Sequence, residues 1–106
     1  MAPAVKRTVE RLGLVLAGEL VALEAAWPGW WRVPARELDA ERWVPVLRTD
    51  QLLSQVARGV GLAFPRPRRP LAPRIRATAL EEVARRCDAG GLAMVAAELR
   101  LVLEAR

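Results

Sequence analysis

Val5, Val9, Leu12, Leu16, Leu20 and Leu23 recur at intervals of three and four between Ala4 and Ala26, the spacing that aligns side chains along one stripe of an α-helix. Lys6, Arg7, Glu10 and Arg11 fall outside that stripe, so the pattern predicts a long amphipathic first helix. In its second half Leu14, Val15 and Val21 add apolar positions on other sides, which calls for cover from the other helices or from a partner. Gly13, Ala17 and Gly18 are small enough to admit another backbone. The glycines are otherwise weak points, since glycine costs about 1 kcal/mol against alanine in a helix interior.

Trp27-Pro28-Gly29-Trp30 fits a type II turn, proline presetting the first central φ and glycine accepting the positive second one. Ala35 to Trp43 then reads as a short helix begun by Pro34 and ended before Pro45. Thr49 or Asp50 supplies an N-cap for a third helix carrying Leu52, Leu53, Val56, Ala57 and Val60, which Gly59 and Gly61 terminate. Residues 65–73 hold four prolines and exclude both helix and central strand. Beyond them Thr78 and Glu81 have the spacing of a capping box ahead of Leu80, Val83, Ala84 and Cys87. Gly90 and Gly91 separate that helix from a last one bearing Leu92, Val95, Leu99 and Val102, and so short a link implies an antiparallel hairpin. The fold expected is all-α, a small bundle of about five helices. Its long N-terminal helix and C-terminal helical hairpin are joined by an Arg/Pro-rich connector, residues 65–73, within a single helical domain spanning 1–106.

Composition narrows the picture. With 53% apolar and 27% charged residues in 106 positions, the chain has the material for one hydrophobic core and is not of the disordered class. A lone cysteine, Cys87, cannot staple the chain to itself, and with no histidine present no thiol/imidazole metal site can be assembled. Lys6, Arg7 and Arg11 ahead of Leu12–Leu23 have the outline of a signal peptide, but Glu10 and Glu19 interrupt it. Glu19 and Glu24 likewise break up a run that would need about 20 apolar residues to span a bilayer. A cytoplasmic protein without membrane attachment is expected.

The missing residue types exclude most catalysis. Histidine, tyrosine and asparagine are absent, and lysine, serine and cysteine occur once each, as Lys6, Ser54 and Cys87. Ser54 has no imidazole to activate it, and although the carboxylate pairs Glu37/Glu41 and Glu81/Glu82 exist, Glu37 and Glu41 have the spacing of an ordinary solvated helix face. Neither an enzyme nor a cofactor is expected. Gly59-Val60-Gly61 lacks the third glycine and the following helix of a dinucleotide fingerprint.

Charge and aromatic residues carry the remaining signal. Arg58, Arg66, Arg68, Arg69, Arg74 and Arg76 crowd residues 58–77 with no acid among them, so the formal net charge of +5 is local to that segment. Guanidinium groups concentrated in this way attract phosphate backbones. A proline-stiffened connector can also collect arginines for solubility or meet an acidic protein, and the ratio of 16 arginines to one lysine fits a GC-rich coding bias. Trp27, Trp30, Trp31 and Trp43 make up all the aromatic residues besides Phe64. They suit a small satellite core, protein interface anchors or stacking platforms for unpaired bases. The last two helices also have helix-turn-helix order, but the second is apolar nearly throughout and only Arg100 is well placed to meet a base edge.

Two functional expectations follow. The first is a non-enzymatic subunit of a nucleoprotein assembly, binding nucleic acid, RNA included, through phosphates and without sequence preference. The second is a protein adaptor or obligate oligomer, including a homo-oligomer, docking through the Trp27 to Trp43 region.

Overall fold

The computed structural model describes Met1 to Ala105 of the 106 residues. Four α-helices account for most of them: α1 (Pro3–Ala26), α2 (Ala40–Gly59), α3 (Pro73–Ala89) and α4 (Ala93–Ala105). Single 3-10 turns at Trp30–Arg32 and Ala35–Glu37 lie between α1 and α2, and the described residues contain no strand. Each helix packs on its neighbour in sequence and α4 closes back onto α1, so the four apolar stripes meet in one interior. Leu16, Val56, Leu80, Val83, Val95 and Leu99 are completely buried there.

The first helix follows its pattern, with Pro3 in the first turn, where a missing N–H goes unneeded. Its buried stripe runs Val9, Gly13, Leu16, Ala17, Leu20 and Leu23. Val15 and Val21 face outward, so the cover that the second half calls for is only partly provided within the chain. The two glycines of this helix have different roles. A Cβ on Gly13 would lie 2.5 Å from Val95 Cγ1, so this glycine is what lets α4 approach, whereas a Cβ on Gly18 would meet nothing within 4 Å. The turn after α1 is type II as predicted: Trp30 N–H donates to the Trp27 carbonyl at 3.0 Å, and Gly29 has φ 84° and ψ 1°.

The second and third predicted helices are one. Ala35–Glu37 forms only a 3-10 turn, Asp39 caps the following helix by accepting from the Arg42 N–H at 2.9 Å, and α2 then runs through Pro45 to Gly59. Proline here removes the donor that would have reached the carbonyl of Glu41, a residue exposed near the helix start, where water can take its place. Thr49 and Asp50 are not caps. The Thr49 hydroxyl donates back to the Pro45 carbonyl at 3.0 Å, and Asp50 turns into the interior. Nor do Thr78 and Glu81 form a capping box, because α3 begins earlier, with Pro73 in its first turn.

Helices α2 and α3 end alike. Gly61 and Gly91 take positive φ, 87° and 78°. Leu62 N–H donates to the Ala57 carbonyl and Leu92 N–H to the Cys87 carbonyl, at 2.9 and 2.7 Å. This six-to-one bond is the Schellman arrangement, which uses carbonyls the helix end would otherwise leave unpaired. The second of these turns leads directly into α4, and α3 and α4 pack closely as a hairpin.

Gly13→Ala should destabilise the protein and Gly18→Ala should stabilise it. Overpacking costs about 1–3 kcal/mol, which outweighs the helix-propensity gain at position 13, while position 18 keeps a gain of roughly 0.5–1 kcal/mol. Urea unfolding of the two variants measures both; equal shifts would show that Val95 has room to move.

Candidate functional site

The connector is not a free tether. Pro70 is buried, Gln51 Nε2 donates to the Pro67 carbonyl at 3.1 Å, and Arg66 Nη2 donates to Gln51 Oε1 at 3.1 Å, so residues 66–70 lie strapped along α2. The strap ends on Asp50. Leu71 N–H donates to Asp50 Oδ2 at 2.8 Å, and Arg76 closes a bidentate pair with the same carboxylate, Nε to Oδ1 at 2.7 Å and Nη2 to Oδ2 at 2.8 Å. Nη2 also donates to the Leu71 carbonyl at 3.1 Å.

This corrects the expected phosphate-binding set at one position. Arg76 is 1% exposed, its charge is neutralised by Asp50, and its guanidinium lies over the Trp30 ring at 4.8 Å and the Trp31 ring at 5.8 Å. It has no face to offer a ligand in solution. Trp30 and Trp31 lie beside it: both are largely buried, 5.2 Å apart and edge to face, and form a satellite core. Trp27 is half-buried, packs against the core and carries Arg42 at 5.6 Å above its ring. Trp43 is half-buried and is not among the side chains packed against the core.

The other predicted arginines, Arg58, Arg66, Arg68, Arg69 and Arg74, are exposed. The fold brings three more to them. Arg48 lines one depression with Arg66, Arg36 a second with Arg69, and Arg32 a third with Arg74. Arg66 and Arg69 come from the connector and Arg74 from the first turn of α3, while Arg48, Arg36 and Arg32 come from α2 and the two 3-10 turns, so each depression draws its arginines from two separate stretches of chain. Glu19 also lines the first of these depressions. Arg58, at the C-terminal end of α2 where a cation complements the helix dipole, lies roughly 15 Å along the axis from Arg48.

Among the described residues none of these eight arginines forms an ion pair, whereas Arg42, Arg85, Arg86 and Arg100 are paired with Asp39, Glu82, Glu82 and Asp88. Hydrogen bonds from Arg85 and then Arg86 hold the Glu82 carboxyl below its usual range. Unpaired guanidinium groups keep their positive field. The sequence signal for Arg32, Arg36 and Arg48 was masked by the interspersed acids Glu37, Asp39 and Glu41.

Nucleophiles are secluded. Ser54 is buried, and its hydroxyl donates to the Gln51 carbonyl at 2.7 Å. Cys87 is buried, and burial, reinforced by Asp88 against the opposing Arg100, pushes its thiol up to about 11. The reactive thiolate is thereby suppressed. Among the described residues no cluster of three metal-ligating side chains forms, and no helix is long and apolar enough to cross a membrane. No known family, curated protein or solved structure matches the chain.

Removing one member of the buried pair should be far worse than removing both. Asp50→Ala strands the Arg76 charge and should cost about 3–5 kcal/mol, while Asp50→Leu combined with Arg76→Met should recover most of that loss. Chemical denaturation of the single and double variants reads the difference, and additive losses would show that the pair is not coupled.

Proposed function

We propose that this chain is a non-enzymatic helical domain acting in the cytoplasm as a subunit of a nucleoprotein assembly. It holds nucleic-acid phosphates through Arg66, Arg68, Arg69 and Arg74, with Arg58 at the periphery and with Arg32, Arg36 and Arg48 completing the surface. The observation that carries this reading is the set of exposed arginines, drawn from separate stretches of chain, that form no ion pair among the described residues. A surface folded for solubility alone has no reason to gather guanidinium groups beside one another, because like charges repel at short range. A phosphate backbone removes that repulsion, and arginine forks match its oxygens bidentately. The buried Ser54 and Cys87 support a binding role over a catalytic one.

A second reading, a protein adaptor or oligomer, is favoured by one separate observation. Leu20, Val21, Trp30, Trp31 and Val102 line an apolar groove of about 310 Å³ between α1 and α4, and Val21 at its edge is 58% exposed. Trp43 is not among the residues that line this groove. Nuclease-treated protein that remains assembled by light scattering, and becomes monomeric on Val21→Glu, would support it; a monomer throughout would remove it.

For the leading reading, affinity for a labelled oligonucleotide should fall steeply with salt and be indifferent to base sequence. Each of Arg68→Gln and Arg69→Gln should reduce the log–log salt slope by about 0.7 on a single strand, one phosphate contact apiece. Fluorescence anisotropy across a salt series checks this. Binding that is flat with salt, or unchanged when both arginines are replaced, would overturn it.

A further inference from the structure

We infer that the nucleic acid bound by this surface is single-stranded, with Trp43 stacking an unpaired base and Arg36 and Arg69 holding the phosphates on either side of it. The inference rests on the nucleic-acid reading above and names the form of its ligand.

The four tryptophans have different roles in the fold. Trp30 and Trp31 are core residues, and Trp27 packs on the core beneath Arg42. Trp43 alone is half-buried without packing against that core. Trp43 lines a depression of about 380 Å³ together with Arg36, Arg69, Pro34 and Pro70, a volume toward the lower end of the ~300–1,000 Å³ typical of small-ligand pockets. Two prolines stiffen the walls, and Asp50 anchors the chain just beyond Pro70 through the Leu71 N–H, so little ordering is left to be done on binding.

An aromatic ring flanked by cations is the recurring arrangement for single strands. Every base offers a π-face to the ring, and the arginines follow the backbone without reading sequence. A duplex presents phosphates to the same arginines, but its bases are already stacked and out of reach of the indole. A protein partner needs carboxylates opposite the arginines as well as an apolar group for the ring, two requirements that one nucleotide meets with its phosphate and its base. Arg36, isolated among acids in the sequence, is exposed in the fold and lines the same depression.

The test compares the full chain with its Trp43→Leu, Trp43→Phe and Arg36→Gln variants. The probes are labelled oligothymidylate, oligouridylate and a duplex of equal length, followed by anisotropy, with indole emission recorded in parallel. Wild type should prefer the single strands and show quenched emission on binding them. Trp43→Leu should weaken single-strand binding about 5- to 100-fold, the range for loss of one stacked base, and leave duplex binding and thermal unfolding unchanged. Trp43→Phe should retain most of the affinity, which keeps the test valid if the leucine variant folds poorly. Arg36→Gln should lower the single-strand salt slope by about 0.7. Equal, salt-sensitive binding of duplex and single strand, unaffected at Trp43, would overturn the stacking inference and leave the phosphate reading standing. Wild type that binds none of the probes would overturn both.

Discussion

The buried carboxylate of Asp50 is the constraint on which the rest of this structure depends. It sits in the middle of α2, and its two oxygens take one hydrogen bond from the Leu71 backbone and two from the Arg76 guanidinium. Three elements are therefore joined at one group: α2, the strap formed by the connector, and the first turn of α3. Arg76 extends the junction to a fourth, because its guanidinium lies over Trp30 in the 3-10 turn that follows α1. A charge buried this completely is tolerable only when paired and hydrogen-bonded. Any arrangement of the chain that separates Asp50 from Arg76 is penalised twice, once for each stranded charge, so the pair opposes alternative packings even though its net contribution to stability is modest. Desolvated cation–π contact with the indoles adds about 2 kcal/mol of attraction in favourable cases.

Local rules carried the reading of α1, of the turn at Pro28 and Gly29, and of the helix ends at Gly61 and Gly91, because there the residue chemistry itself selects the conformation. They failed wherever tertiary contacts outweighed them. Pro45 is a breaker by local rules, yet it falls near the start of α2, where Asp39 caps the helix, and the buried stripe through Val46, Leu53 and Ala57 begins directly after it. Thr49 and Asp50 have the composition of a cap and are instead interior positions of that same helix. The correct assignment of Arg76 was present in the periodicity. With Leu80, Val83 and Cys87 it falls at intervals of four, three and four on the buried face of α3, while Asp50 stands in the same relation to Val46, Leu53 and Ala57. A charged residue occupying a core position on each of two helices, with opposite signs, signals a buried ion pair. Treating the arginines of 58–77 as one charge block concealed it. The approach of Arg32, Arg36 and Arg48 to the connector had no such signal, because it depends on where the strap lies and not on any local pattern.

Moving Arg76 inside changes what the basic segment is. Arg76 and Asp50 cancel, so the surface keeps its excess of positive charge, now carried by side chains that form no ion pair among the described residues. The connector's prolines matter here in a way composition alone does not show. They prevent helix and strand, leaving backbone groups that must find other partners, and the side chains of Gln51 and Asp50 serve two of them, the Pro67 carbonyl and the Leu71 N–H. Once strapped, Arg66, Arg69 and Arg74 have fixed backbone positions relative to Arg48, Arg36 and Arg32.

This fixing links the core to the surface energetically. An unstructured Arg/Pro linker that ordered only on contact would lose backbone and side-chain freedom at that moment, roughly 1–2 kcal/mol for each residue's backbone, and its affinity would fall accordingly. A connector held by Asp50 has already met the backbone part of that loss during folding, where the burial of Leu53, Leu80 and Val83 offsets it. The carboxylate that looks out of place in the core is thus the same group that makes a proline-rich stretch behave as a rigid surface, and weakening it would loosen the arginines before it touched a single one of them.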